Sequence, residues 1–495
     1  METEKKTLSA EQEALHTQIL TDLRSMFPED QVIAAKEAIL EHDSDNRKYA
    51  KSFGIYSPHQ PICILAVNST EEVSRALTYC NDHDISVIAR TGGSSYEGLL
   101  SAVNDKTVVI DASNMNEIIK IDEYNMCVTC QCGVPLNTLE TLLQEKGMTT
   151  GHSPQSLPVA QMGGLAATRS IGQFSTYYGG IEDLLCGLEA VMPNGEVVRI
   201  RNVPRRSAGP DLRHLFMGSE GAFAFITEVT VKIFTYYPES FWKGGYIVPD
   251  METGIKAIRN IMAAGYRPSV VRLYDKADFG ANYGSVQFEE GEAYMFFIAE
   301  GPAEVAQAVG EGIHKISLAS GGRYIGYEGV DYWLVHRNDL CSGWRNPETR
   351  RKYLETGIFY ATNEISASYT DIVSIYKNVM ENLPKKIDNL VLLGGHASHA
   401  YQTGLNIYFV YRLKIKSPET YAQEHQAVID AICEEVLKAP TGGCVHHHGM
   451  GKQRVKFAPR EHGSSYFLIK ELKKMMDPKG IMNPGVLICD DDSVK

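Results

Sequence analysis

The chain has 495 residues, 43% hydrophobic and 22% charged, with 43 glycines; this length exceeds one hydrophobic core and predicts two or three domains of mixed α/β composition, not a disordered or fibrous polymer. Its 48 Lys and Arg against 61 Asp and Glu give a formal net charge of −13, an acidic balance that repels phosphate backbones and anionic lipid and so excludes nucleic acid as the expected partner. No run approaches the length of a membrane-spanning helix, so no integral membrane segment is expected.

The start, METEKKTLSAEQEALHTQ, is charged and lacks an apolar core, so neither a signal peptide nor a membrane span is expected there. Ten scattered cysteines favour reduced thiols over a disulfide framework, and the ending DDDSVK is no peroxisomal address. The expectation is a cytoplasmic protein acting on a small molecule, with a homodimer left open.

Apolar residues at three-to-four spacing predict two amphipathic helices, Glu11 to Met26 and Glu29 to Glu41, as a lead-in. From Pro58, CILAV, then STEEVSRALTYCNDHD with Ser69 or Thr70 as N-cap, then SVIAR form a β-α-β unit. TVVIDAS and CVTCQCG add strands, and nothing here has the GxGxxG spacing of a nicotinamide-binding turn. A second subdomain is expected from about Gly151 to Phe234, with a hairpin turned at Asn194-Gly195 and a half-buried antiparallel strand in ITEVTVKIF. After Tyr237 two strand-helix-strand units follow in tandem, ending in SVVRLYD and RYIGYE, which suggests a ferredoxin-like antiparallel sheet with helices on one face. A third strand-helix passage covers Leu405 to Lys438, and the tail from Gly442 ends in LKKMMDPKGIMNPG.

Three stretches of small residues suit an extended ligand. Arg90-Thr91-Gly92-Gly93-Ser94-Ser95-Tyr96 sits at a strand end, where adjacent glycines and hydroxyls can turn donors toward a diphosphate. Gly163-Gly164 with Thr168-Arg169-Ser170, and Gly218 to Phe223, are read equally as close backbone packing or ligand approach. The triple His446-His447-His448 is read as a solvated loop, a metal site or a partly buried turn that moves a proton or steadies an oxyanion. No spacing among His396, His399 and the triple is diagnostic of a metal, and none is expected. Alternation in LNIYFVYRL puts Ile407, Phe409 and Tyr411 on one face and Tyr408 and Val410 on the other. Arg272 and Arg337 stand in apolar surroundings, where a guanidinium needs an anionic partner, in the protein or in a substrate. Cys127, Cys130 and Cys132 read as small residues in a strand.

In their order these motifs resemble the vanillyl-alcohol oxidase / p-cresol methylhydroxylase (PCMH) flavoprotein superfamily, from about Pro58 to Ile488. The resemblance implies an α+β fold: a two-subdomain PCMH-type FAD-binding domain plus a ferredoxin-like antiparallel-sheet substrate (cap) domain. The implied divisions are a helical lead-in over 1–56, the FAD-binding domain over 57–236, the cap over 237–440 and a C-terminal segment completing the flavin site over 441–495. Within the superfamily, TTGHSPQSLPVAQMGGLAATRS with YGGIEDLL, and SEGAFAFIT, are similar to alkylglycerone-phosphate synthase and its bacterial relatives. Carried over by position, Arg90, Thr91, Gly92, Gly93, Ser94, Ser95 and Tyr96 would hold the FAD pyrophosphate. Gln155, Ser156, Gln161, Gly164, Thr168, Ser170, Glu220, Gly221, Ala224 and Ile226 would line the cofactor. Tyr408 matches the catalytic tyrosine, Arg272 and Arg337 the substrate-site arginines, and His446, His447 and His448 the histidine triple.

Two departures bear on the expectation. RTGGSSYEG looks like the berberine-bridge-enzyme loop, yet Ser94 stands where that branch has a flavin-bonded histidine, which implies non-covalent FAD. D-lactate and glycolate dehydrogenases carry a metal-linked GEHG where this chain has His446-His447-His448-Gly449, which puts their metal-assisted mechanism in doubt here. The expected function is therefore an FAD-dependent oxidoreductase taking hydride from a small, anionic, hydroxyl- or ether-bearing substrate. The alternatives are a non-redox alkyl transferase of the synthase type and a 2-hydroxy acid dehydrogenase.

Overall fold

The structure, a computed structural model, describes residues 8–42, 59–282, 286–339, 341 and 347–489. The first expected helix forms as Ala10–Met26, closed at its N-terminus by a capping box in which the Ser9 hydroxyl accepts from Gln12 N–H and the Gln12 side chain accepts from Ser9 N–H. The second does not form as expected. Glu29–Gln31 is one 3-10 turn, Val32–Ile33 is a strand, and only Lys36–His42 is helical. Val32 and Ile33 pair antiparallel with Leu65 and Ile64, so two β-branched residues adopt the sheet where neighbouring strand edges reward it. The lead-in is thus stitched into the first sheet, while the expected start at Pro58 lies outside the described residues.

That sheet runs Val32–Ile33, Cys63–Ala66, Thr107–Asp111, Ser86–Arg90, parallel except at its first pair. Helix Thr70–Asp82, capped by the Ser69 hydroxyl on Glu72 N–H, buries Val73, Ala76, Leu77 and Cys80 against it. The two strands of the β-α-β unit are parallel but not adjacent, because Thr107–Asp111 lies between them.

The second sheet is antiparallel throughout: Ile118–Asp122, Cys127–Gln131, Phe225–Lys232, Leu185–Val191, Val197–Ile200. Asn194-Gly195 makes the expected turn, with Gly195 at φ 85°. The second sheet therefore begins at Ile118 and not near Gly151. Cys127–Gln131 finds its partner about a hundred residues away in Phe225–Lys232, and local pattern carries no record of so distant a pairing.

Seven antiparallel strands make the third sheet, in the order Arg323–Tyr324, Trp242–Val248, Ala293–Ala299, Val270–Asp275, Leu390–Ala397, Gly404–Lys414, Ile358–Ser368. Its first four strands, with helices Met251–Ala263 and Ala303–Ala319, stand in the spatial order fourth, first, third, second, the ferredoxin-like arrangement. Helices Ile372–Lys386 and Tyr421–Val436 continue the same layer. These helices bury Ile255, Ile258, Ile375, Val428 and Ile432 against Leu273, Ile407, Phe409 and Tyr411 of the sheet. Each fully buried side chain of this size contributes at most about 1.5–3 kcal/mol. The opposite sheet face is left for the first half of the chain, and Phe174 packs there with Val270, Tyr274 and Trp333.

The tail returns to the first sheet. After helix Tyr466–Met476, Val87 N–H donates to Ile481 O at 2.8 Å and Asn483 N–H to Val87 O at 2.8 Å. Lys473 ties Ala222 O and Met482 O together at 2.8 and 2.7 Å.

Candidate active site

The three small-residue stretches meet at the end of the first sheet. A Cβ on Gly92 would lie 2.4 Å from Val159 O, and one on Gly164 would lie 3.0 Å from the Thr91 hydroxyl. Glu220 N–H donates to Ala167 O at 2.8 Å, and a Cβ on Gly221 would sit 3.4 Å from that of Ala89. Glycine at Gly92 is thus demanded by close backbone approach, while Gly93 holds φ +62° beside Arg90. Arg90 itself is ion-paired with Asp111 on the neighbouring strand. Ser94 and Gln155 are exposed, and Thr168 donates its hydroxyl to Gly164 O at 2.9 Å. The Ser170 hydroxyl lies 3.3 Å from His152, whereas Ala224 and Ile226 pack in the core of the second sheet. Gln161 keeps a buried Oε1 without a hydrogen-bond partner, a polar group facing a site that a ligand would satisfy.

Glu220, expected to line the cofactor, also fastens the tail. At φ 53° its carboxylate accepts from Met450 N–H at 2.6 Å and Gly451 N–H at 2.8 Å, latching the tail onto the cradle. Burial pushes its carboxyl up to about 7, against the pull of those two N–H groups and Arg454. The Arg90 to Gly98 loop meets the tail as well: the Tyr96 ring lies 5.1 Å from His448, and Lys452 N–H donates to Glu97 O at 2.9 Å.

Opposite the cradle, one row of residues crosses four strands of the third sheet. Tyr274 pairs in register with His396, His396 with Tyr408, and Tyr408 with Glu364. Cross-strand partners share a face, so all four point away from the helices, as the alternation expected for Tyr408 requires. The His396 ring stacks on Tyr408 at 4.6 Å and on Tyr274 at 5.0 Å. Arg272, two residues before Tyr274, shares that face.

The histidine triple is held over this row by Glu364, whose Oε1 accepts the successive N–H groups of His446, His447 and His448 at 3.3, 3.2 and 2.9 Å. Arg454, fully buried, bonds Glu364 Oε1 at 3.1 Å, Cys444 O at 2.8 Å and Gly449 O at 3.0 Å, and pairs with Glu97 at 2.9 Å. Burial pushes Glu364 up, but Arg454 and His448 outweigh it and hold the carboxyl well below its usual range. His448 Nδ1 lies 2.8 Å from Glu364; burial depresses the imidazole, yet Glu364 and Glu97 prevail and hold it up at about 9. His448 is therefore a cation at neutral pH. Burial keeps the others neutral: His446 falls to about 4, and His447 and His399 fall well below the usual imidazole value.

The Tyr408 hydroxyl lies 2.6 Å from His447 Nε2, and burial raises that phenol well above its usual value. His447 Nδ1 lies 2.7 Å from His446 Nδ1, His446 Nε2 lies 2.7 Å from the Tyr401 hydroxyl, and His399 Nδ1 lies 2.7 Å from the Ser175 hydroxyl. Two groups bring three donor atoms within 4.8 Å of one another, His399–His446–His447 and Glu97–Glu364–His448. The second already contains the Arg454 guanidinium between its carboxylates. In the first, the 2.7 Å gap between two Nδ1 atoms is a hydrogen bond; two imidazoles on one tetrahedral zinc keep their nitrogens about 3.3 Å apart.

Arg272 and Arg337 complete the site. Arg272 lies 4.9 Å over the Trp333 ring with its Nε buried and without a hydrogen-bond partner. Arg337 packs 5.2 Å from Phe174 and bonds Gln173 Oε1 at 2.6 Å and the Ser153 hydroxyl at 2.8 Å. Burial and the neighbouring Arg272 pull Arg337 down to about 10. Among the described residues, neither guanidinium has a carboxylate at ion-pair distance. A buried and a half-buried cation side by side, with no carboxylate among the described residues, favour an anionic group there. Arg337→Met keeps the bulk and removes the charge, and KM for an anionic substrate is expected to rise about ten- to hundredfold, the equivalent of about 1.5–3 kcal/mol. Steady-state kinetics against a neutral analogue checks it, since a packing defect would raise both values alike.

The structure brings Tyr408, the triple and both arginines together, and beside them Glu364, Glu97 and Arg454, which sequence reasoning did not single out. The signal for Glu364 is an acid inside the strand IFYATNEISAS, on the same face as no other charge. Ser175 and Tyr401 gave no signal.

A cradle of close backbone approaches, roofed by an antiparallel sheet bearing Tyr408, His396 and Arg272 with the histidine triple and Arg337 set against it, defines a PCMH-type flavoenzyme fold. Residues 61–201 match the FAD binding domain and residues 244–487 the C-terminal domain of FAD linked oxidases. The chain is 46% identical over 479 residues to "Uncharacterized FAD-linked oxidoreductase YgcU" of Escherichia coli (strain K12), covering 95% of this chain and 98% of that one. It is 26% identical over 457 residues to alkyldihydroxyacetonephosphate synthase of Dictyostelium discoideum, covering 86% and 73%. A solved alkyldihydroxyacetonephosphate synthase superposes with a TM-score of 0.77 at 23% identity, over 94% of this chain and 84% of that one. The chain belongs to the FAD-linked oxidoreductases, and FAD is its cofactor. No described helix is long and apolar enough to cross a membrane.

Proposed function

We propose that this enzyme oxidises a small anionic substrate at a carbon bearing a hydroxyl or ether oxygen. The observation that carries this reading is the Tyr408–His447 hydrogen bond at 2.6 Å on the sheet face that also bears Arg272. Arg337 packs beside it on Phe174 and Trp333, and among the described residues neither arginine has a carboxylate at ion-pair distance. FAD, when bound, supplies the two-electron acceptor for a hydride leaving the substrate carbon. Arg272 and Arg337 hold the anionic group and so fix the reacting carbon. Tyr408 takes the hydroxyl proton as its own passes to His447 Nε2, a neutral acceptor. His448, a cation beside Glu364, steadies negative charge developing on the substrate oxygen. An anaerobic screen of 2-hydroxy acids, aromatic alcohols and phosphorylated hydroxy compounds should bleach the flavin with at least one anion. Bleaching only by neutral alcohols would sink the reading.

The pH dependence follows from His448. Its ion pair with Glu364 is complete below the ordinary imidazole value of 6.5 and is lost as the pH rises through about 9. Flavin reduction is expected to hold level from about pH 7 to 8 and to fall above 9, and His448→Gln should abolish that limb.

FAD is further proposed to be non-covalent, because Ser94 offers an exposed hydroxyl where an imidazole would be needed for a bond to the ring. Acid precipitation should release all the flavin into the supernatant. An alkyl transferase reading is the alternative, and the cavity of about 590 Å³ against His446, lined by Ile171, Ala367 and Leu405 as well as Ser366, Thr403 and Glu182, does not decide against it. Incorporation of labelled hexadecanol into an ether product would establish that alternative.

A further inference from the structure

We propose that His447, His446 and Tyr401 form a proton wire that carries the substrate's hydroxyl proton from Tyr408 to the cavity on the far side of the histidine triple. This rests on the oxidase reading above. Four groups stand in line with three contacts, Tyr408 hydroxyl to His447 Nε2 at 2.6 Å, His447 Nδ1 to His446 Nδ1 at 2.7 Å, and His446 Nε2 to Tyr401 hydroxyl at 2.7 Å. Both imidazoles are entered at one nitrogen and left at the other, which is the requirement for relaying a proton through a ring. Tyr408 is half-buried, whereas Tyr401 is 38% exposed, and Tyr401 and His446 both line the cavity of about 590 Å³.

Two tautomer sets satisfy the three contacts, and the one in which Tyr408 donates is the one poised to carry a proton outward. For Tyr408 to donate to His447 Nε2, His447 must carry its proton on Nδ1. That proton points at His446 Nδ1, which must then be bare, so His446 carries its proton on Nε2 and donates it to the Tyr401 oxygen. Burial keeps both rings neutral at physiological pH, so neither stalls as an imidazolium. His399 stacks on His446 at 5.2 Å and, anchored by Ser175, holds that ring in plane.

The step balances. As the carbon–hydrogen bond breaks with its electron pair leaving as hydride to FAD, the oxygen–hydrogen bond of the substrate breaks and its proton goes to the Tyr408 oxygen. The Tyr408 proton moves to His447 Nε2, the His447 Nδ1 proton to His446 Nδ1, the His446 Nε2 proton to Tyr401, and the Tyr401 proton to water in the cavity. One proton is released per substrate oxidised. Once product has left, the reverse hops restore the starting tautomers and deliver one proton to water in the emptied substrate site, so the wire holds the released proton on the cavity side only while product fills the site.

Tyr401 and His446 thus act through Tyr408 and do not touch the reacting carbon, so the test must see the proton. With the holoenzyme and an anion that bleaches it, single-turnover proton release is followed with a pH-indicator dye beside flavin absorbance. In Tyr401→Phe and in His446→Ala, proton release is expected to slow at least about tenfold, with an enlarged solvent deuterium effect. Free imidazole, small enough for the cavity, should restore the rate in His446→Ala, whereas a purely structural defect would not respond. Nitrogen-15 spectra of labelled histidine should show His446 as the Nε2–H tautomer, assigned by its loss in His446→Ala. Unchanged proton release in Tyr401→Phe, failure of imidazole to rescue, or an Nδ1–H tautomer at His446 would each overturn the wire. Failure of every anion to bleach the wild-type flavin would instead overturn the oxidase reading, and the wire with it.

Discussion

Replacing Tyr408 by phenylalanine is expected to slow anaerobic flavin reduction by about 100- to 10,000-fold, the usual span for losing a positioned proton acceptor. The phenyl ring keeps the stack on His396 at 4.6 Å and the register with Glu364, so neither folding nor flavin content should change. Only the hydroxyl and its 2.6 Å contact with His447 are removed. The loss should fall on the limiting reduction rate and leave KM nearly constant, because the arginines that hold the anion are untouched. Stopped-flow absorbance at the flavin band measures it. A rate within twofold of wild type would show that Tyr408 is a structural tyrosine.

Arg454→Met is expected to destabilise the protein by about 3–5 kcal/mol, since it leaves buried Glu364 and Glu97 without their shared cation. The guanidinium also bonds the carbonyls of Cys444 and Gly449, so the tail that carries the triple loses its fastening to the Ile358–Ser368 strand. Flavin reduction should collapse with stability. The denaturant midpoint measures the first effect, and a triple variant, Arg454→Met with Glu364→Gln and Glu97→Gln, separates the causes. Removing both acids should recover much of the stability, because the penalty is unpaired charge and not lost packing. Recovery of activity should not follow, because neutral glutamines at 364 and 97 no longer hold His448 as a cation. A midpoint unchanged in Arg454→Met would refute the buried-charge account.

Cofactor class, the ferredoxin-like layer and several side-chain assignments were legible in the sequence for local reasons. Helix Thr70–Asp82 announces itself through Ser69 and its apolar spacing, and Gly404–Lys414 through strict alternation, so Tyr408 could be placed on the face opposite Ile407 and Phe409 before any sheet was built. Arg272 and Arg337 stood out as charges in apolar runs, and their lack of an acid partner among the described residues keeps the anion reading intact. Such features depend on residues three or four positions apart, and a chain carries them wherever it goes.

What only the tertiary structure decided depends on residues far apart in the chain. Val32–Ile33 became a strand because Ile64 and Leu65 offered an edge, and the second sheet began at Ile118 because Phe225–Lys232 lay waiting for Cys127–Gln131. The role of Glu220 as the latch for Met450 and Gly451, 230 residues on, was likewise invisible in the sequence. Above all, the charge state of the histidine triple could not be read from three adjacent letters. His448 is cationic because the Glu364 and Glu97 carboxylates face it, and His446 and His447 are neutral chiefly because burial outweighs the pull of Glu364 on them. Sequence by itself determined which groups are present and which face of an element they take. Their protonation and their partners arise from Coulomb interactions and desolvation over a few ångströms of folded space, and those distances exist only once the sheets have met.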